Sequence, residues 1–154
     1  YEVSQLWAKG AVLARNARGE AIKIHGEYIM FLSEGCGGYQ TMGFSSDMVH
    51  WRFERKTYLP LPKELGTHIY EVACAVAKED QLVIDFFYCD NDNKYAGGQA
   101  LYHLNDPYQP IAYTSNATLA WGGMLQYEGK WIFAQGWDAP LGKEEMYFYT
   151  SEVK

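Results

Sequence analysis

Short apolar runs alternate with tight polar turns along this chain, and three stretches do so in the same order. The first has apolar residues over Ala21–His25, a turn at Gly26-Glu27, an apolar run over Tyr28–Leu32, a glycine-rich loop over Gly35–Gly38 and a third run over Tyr39–Phe44. The second repeats the layout with Val72–Ala77, a turn at Lys78–Asp80, Gln81–Tyr88, a loop at Asp90–Asn93 and Gly98–His103. The third has Gly123–Tyr127, a turn at Glu128-Gly129, Lys130–Ala134, a loop over Asp138–Gly142 and Glu145–Thr150. Runs this short, alternating or continuous and bounded by Gly, Asn and Asp, predict strands and hairpins. Gly or Pro interrupts every window long enough for a helix.

The turns at Gly26, Glu79 and Gly129 lie 53 and 50 residues apart. Three or four strands per unit at that period predict the blades of a β-propeller, here about three of them. A β-sandwich built from the same hairpins is the alternative. Pro60 and Pro62 within Thr57–Gly66, and Asp106-Pro107 and Gln109-Pro110, mark the crossings between units, and Trp7–Leu13 reads as another such crossing. The expectation is one partial propeller domain over residues 1–154, with units at about 20–56, 67–110 and 111–154.

Composition narrows the class. The 154 residues are 48% hydrophobic and 21% charged, the balance of a folded globular domain. Aromatics stand out, with 13 Tyr, 7 Phe and 5 Trp. Such rings suit pleated sheets, and their faces also suit sugars. A net charge of −6, with Arg15 and Arg18 as the densest basic spot, leaves nothing to neutralise phosphates and argues against nucleic acid. No apolar run approaches the roughly 18 residues of a membrane span. Cys36, Cys74 and Cys89 have neither metal-ligand spacing nor an even count, so all three read as small buried apolar groups. No cofactor or metal motif is present: Asp90–Lys94 lacks the glycine and distal glutamate of a calcium loop. The compartment stays open.

Ser45-Ser46-Asp47-Met48-Val49-His50-Trp51 resembles the S-x-D-x-x-x-W segment of five-bladed glycosidase propellers: arabinanases and xylosidases, invertase-type fructosidases and mannoside phosphorylases. Gly26–Phe31 resembles those families' G-K-Y-Y-M-Y strand, and Gly129–Phe133 is a further match. The resemblance implies that Trp51 wedges between blades, with Ser46 and Asp47 bonding the turn's backbone N–H groups. It also implies a carbohydrate-active enzyme, a glycosidase engaged in polysaccharide degradation. The expected partners are an oligosaccharide or glycoside, together with further blades from a longer chain or from a homo-oligomer. A non-catalytic sugar-binding or interaction propeller is the alternative.

Glycosidic cleavage needs two opposed carboxyl groups. The resemblance places them at the start of innermost strands, where Glu71 matches the general acid and Glu20 the carboxylate that orients it. Both precede apolar runs, so partial desolvation is expected to raise their pKa values. Both also read as solvated strand-end glutamates, and their spacings to the following strand differ: 8 residues from Glu20 to Tyr28, 11 from Glu71 to Leu82. Asp138, Trp137, His68 and Trp121 are the candidates for binding sugar. Asp85, a charge among Val83, Ile84, Phe86 and Phe87, is expected to bond within its blade or face the channel.

Overall fold

The computed structural model describes residues 8–34, 39–115, 123–135 and 146–152, all of them strand, turn or loop. Four antiparallel strands form the first blade: β1 (Ala8–Asn16), β3 (Glu27–Glu34), β4 (Tyr39–Ser45) and β5 (Arg52–Arg55). The two-residue β2 (Lys23–Ile24) continues the inner edge beside β3. The second blade is the meander β6 (Gly66–Lys78), β7 (Gln81–Asp90), β8 (Tyr95–His103) and β9 (Ala112–Ser115). Three strands form the third sheet: β10 (Gly123–Tyr127), β11 (Lys130–Gln135) and β12 (Tyr147–Glu152).

Innermost strands meet in parallel, β1 pairing with β6 from Ala14↔Ala75 to Asn16↔Ala77. Successive antiparallel meanders joined through parallel inner strands are propeller architecture, with a sheet that is not closed, and not the two facing sheets of a sandwich. Arg15 donates to the Met124 carbonyl, and the Gln126 N–H bonds the Ala17 carbonyl at 2.6 Å, so the same inner strand also carries the third sheet.

Two local expectations change. Residues 8–13 of the segment read as a crossing belong to β1, because Val12 and Leu13 pair with Phe31 and Met30. The strand expected over 21–25 shrinks to Lys23–Ile24, because β1 already occupies most of the β3 edge. Left-handed His25-Gly26 and Glu128-Gly129 turn the first and third hairpins, with positive φ at both central residues as tight hairpins of this type require.

The main core lies between the first two blades and gathers Ile29, Phe31, Met42, Phe44, Tyr58, Val72, Ile84, Phe86 and Tyr102. A smaller cluster of Cys74, Val76 and Met124 with Trp131 and Phe133 joins blade two to the third sheet. Cys74 and Cys89 are buried free thiols, as expected of them; Cys36 lies outside the described residues.

The S-x-D-x-x-x-W turn is held differently from the expectation. Ser45, not Ser46, accepts the Asp47 and Met48 N–H groups, while Asp47 accepts those of Val49 and His50. His50 also bonds Asp47 through its ring, and these bonds hold the Asp47 carboxyl far below its usual range. Trp51 is half-buried and lies beside Phe53 across Gly43, within its own blade, so no wedge between blades is seen among the described residues.

Candidate active site

Strand β6 owes its shape to three successive bulges. Its residues pair with β7 as Gly66↔Asp90, His68↔Cys89, Ile69↔Tyr88, Glu71↔Phe87, Val72↔Phe86 and Cys74↔Asp85, three positions on β6 for every two on β7. Each bulge sets two consecutive side chains on one face. The core face therefore recurs every third residue at Ile69, Val72 and Ala75, each opposite a core residue of β7. His68, Glu71 and Cys74 fall on the other face, in rows with Cys89, Phe87 and Asp85.

Glu71 is half-buried on this face, near the end at which β1 and β6 begin. Gly10 carries the inner strand of the first blade past it. A Cβ at Gly10 would stand 2.6 Å from the Val72 carbonyl oxygen and 3.2 Å from the Glu71 Cβ, and its φ is +54°. Only glycine combines that conformation with that approach. Ser33, fully buried, donates to the Tyr70 carbonyl at 2.9 Å and fixes the same segment from β3.

Beside Glu71 runs a row of rings. His68 meets Tyr70 edge-on with centroids 4.6 Å apart, and Tyr70 meets Tyr95 at 4.8 Å. Thr67 Oγ1 bonds His68 Nδ1 at 2.9 Å. By register His68 lies one row from Glu71 on the same face of β6.

Glu20 is elsewhere. It sits in the loop after β1, where its carboxylate accepts from Asn16 Nδ2 at 2.7 Å and pairs with Arg18 at 3.2 Å. The Asn16 bond and the Arg18 charge lower its pKa, opposite to the expected rise, because they outweigh the slight desolvation of an exposed group. By the parallel register Asn16 is level with Ala77, six residues beyond Glu71. At the rise of a strand that is roughly 20 Å, whereas paired catalytic carboxylates stand about 5–9.5 Å apart. The structure does not bring Glu20 and Glu71 together; Glu20 staples a turn. Asp138, Trp137 and Trp121 lie outside the described residues.

Asp85 bonds within its blade, accepting from the Cys74 thiol at 3.1 Å, and its Oδ1 has no hydrogen-bond partner. Burial raises its pKa, only partly offset by the bonds from Cys74 and Gln99 and the charge of Arg15. Burial pushes the Cys74 thiol up as well, and the Asp85 charge adds to it. Sequence reasoning did not find Gly10, Tyr70 or Tyr95. The one signal at Gly10 was a glycine inside an apolar run, which marks a bulge or a close backbone approach. A cleft of about 780 Å³ between the two Pro-rich crossings, lined by Lys56, Pro60, Tyr108 and Tyr113, shares no residue with the Glu71 face.

No family model matches the chain, and no curated protein sequence matches it significantly. Solved structures do. A thermostable family-43 glycoside hydrolase superposes with a TM-score of 0.62 at 11% identity, over 96% of this chain and 48% of that one. A family-43 β-xylosidase/α-arabinofuranosidase from a compost microbial metagenome, solved with xylotriose, gives 0.58 at 10% identity, over 86% of this chain and 43% of that one. Sucrose-6-phosphate hydrolase from Lactobacillus gasseri gives 0.58 at 16% identity, over 95% of this chain and 33% of that one. The chain spans half or less of the length of each. Blades, inner-strand pairing and these superpositions agree: the chain has the fold of the five-bladed β-propeller glycoside hydrolases of families 43 and 32, in part.

Proposed function

We propose that the protein cleaves glycosidic bonds in the breakdown of oligo- or polysaccharides, and that Glu71 is its general acid. The observation that carries this reading is the place of Glu71: a partly buried residue on an inner strand, its backbone packed closely against the neighbouring inner strand at Gly10, on the face turned from the main core. A carboxyl so placed can protonate the departing glycosidic oxygen, while the opposing carboxylate that the reaction requires comes from outside the described residues. The neighbour solved with xylotriose makes pentose glycosides the first substrates to try.

Replacement of Glu71 by Gln tests the assignment on two substrates. Hydrolysis of an alkyl xyloside or arabinofuranoside, whose leaving group needs a proton, should fall by about 10²–10⁴, the usual worth of acid catalysis. The 4-nitrophenyl glycoside, whose leaving group hardly needs one, should lose less than about tenfold. Equal small losses on both would remove Glu71 from the reaction and favour a non-catalytic, sugar-binding propeller.

A further inference from the structure

Alternate residues of β3 face the core, so Ile29 and Phe31 are followed inward by Ser33, a hydroxyl where the pattern calls for a third apolar group. Ser33 is 0% exposed, and a hydroxyl so buried is costly unless it is bonded. It donates to the Tyr70 carbonyl at 2.9 Å. That bond skips a strand. β1 pairs with β3 on one side and with β6 on the other, and strands two places apart in a regular sheet stand about 9–10 Å from each other, beyond the reach of a serine. The sheet is not regular at this level. β1 bulges between Lys9 and Val12, with Gly10 at φ +54°, and its ladder to β6 starts only at Ala14↔Ala75. Level with Tyr70 and Glu71, the Ser33 hydroxyl and the backbone approach of Gly10 to Val72 join the two blades instead. The Tyr70 carbonyl belongs to the peptide unit whose nitrogen is that of Glu71. Peptide units are planar, so a bond that holds this oxygen orients the whole unit and the direction in which the Glu71 side chain leaves the strand.

We propose that Ser33 is a positioning residue for Glu71, its hydroxyl fixing the Tyr70–Glu71 peptide so that the carboxyl stands where it can protonate the leaving oxygen. This rests on Glu71 being the general acid. Ser33 lies in the core and acts through the backbone of β6, so the first blade sets the geometry of an acid carried on the second.

Ser33→Ala removes the hydroxyl and leaves the strand its ladder to β4, so the fold should persist by circular dichroism. Amide exchange over residues 69–72 should quicken by about tenfold while β8 keeps its protection, because the peptide has lost its tie to β3. Unchanged exchange there overturns the hold whatever the rates. Turnover is then compared on the alkyl and 4-nitrophenyl glycosides chosen for Glu71→Gln. A misplaced acid should lower kcat on the alkyl glycoside by about tenfold, with KM within about twofold, and lower the nitrophenyl rate by less than about threefold. In the Glu71→Gln background, Ser33→Ala should move the ratio of the two rates by less than about twofold, since no acid is left to misplace. Equal losses on both substrates would make Ser33 a purely structural residue, and unchanged rates would make the bond idle. Either result overturns the positioning role while the selective loss in Glu71→Gln still stands. Absence of that selective loss in Glu71→Gln itself overturns the acid, and the role of Ser33 with it.

Discussion

Among the described residues Asp85 is the buried carboxyl, and its burial predicts a stability that depends on pH. Asp85 is 4% exposed and has one oxygen without a partner, an uncommon state for a buried acid. The charged and titratable groups facing it are Cys74 on β6 and Arg15 on β1, with Glu71 one row away; β8 adds the Gln99 amide. Burial raises its pKa in the folded state above the unfolded value near 3.9. The folded protein then holds the proton where the unfolded chain has lost it. Stability from this group is fully present below about pH 3.9 and is lost as pH rises toward the folded value. Asp85→Asn, which cannot ionise, should therefore stabilise the protein relative to wild type by an amount that grows as pH rises above about 4 and levels off once the folded carboxyl has ionised. Urea melts of both proteins across that range measure it. A difference independent of pH would show that Asp85 is already ionised at no penalty.

At the scale of one strand, the bulges of β6 and the glycine of β1 act together. A regular strand with alternate residues inward would put Glu71 on the core side together with Ile69, which no half-buried carboxylate could share without a partner. Three bulges change the period from two to three, and Glu71 turns away from the core while Ile69 and Val72 stay in it. Gly10 fits against this altered backbone. Gly10→Ala meets both a left-handed φ and the Val72 backbone, whereas Gly26→Ala, at φ +85° with nothing within 4 Å, meets only the first. The second substitution should cost about 1–2 kcal/mol and the first clearly more, by chemical denaturation. Equal costs would mean that β1 moves off Glu71 easily and that the close contact is not a constraint.

At the scale of the molecule, the first two blades share one core, whereas the third sheet is tied to them through the inner strands and a smaller cluster. The third sheet meets the rest through Arg15 to the Met124 carbonyl, Ala17 to Gln126, and the small cluster around Cys74, Val76 and Met124. Arg15→Met keeps the aliphatic stem and removes the donor, so amide exchange in β10 and β11 should speed up by about tenfold while β7 and β8 keep their protection. Uniform acceleration across all strands would show one cooperative unit with no separate third sheet.

The sequence alone determined the all-β class and the position of the hairpin turns, because turns and strand alternation depend on neighbours in the chain: His25-Gly26 and Glu128-Gly129 announce their turns whatever surrounds them. It also singled out Glu71, and it flagged Asp85 as a charge in the wrong place. Glu20 looked equivalent to Glu71 because each precedes an apolar run. Their separation was invisible, since it depends on which residue of β1 lies level with which residue of β6. Likewise Trp7–Leu13 could not be recognised as leading into an inner strand, because its partners Met30 and Phe31 are distant in the chain. The pairing that bulges β6, turns Glu71 outward and lines up His68, Tyr70 and Tyr95 beside it was decided only by the tertiary structure. Register between strands is a property of packed backbones, and no run of side chains read in one dimension contains it.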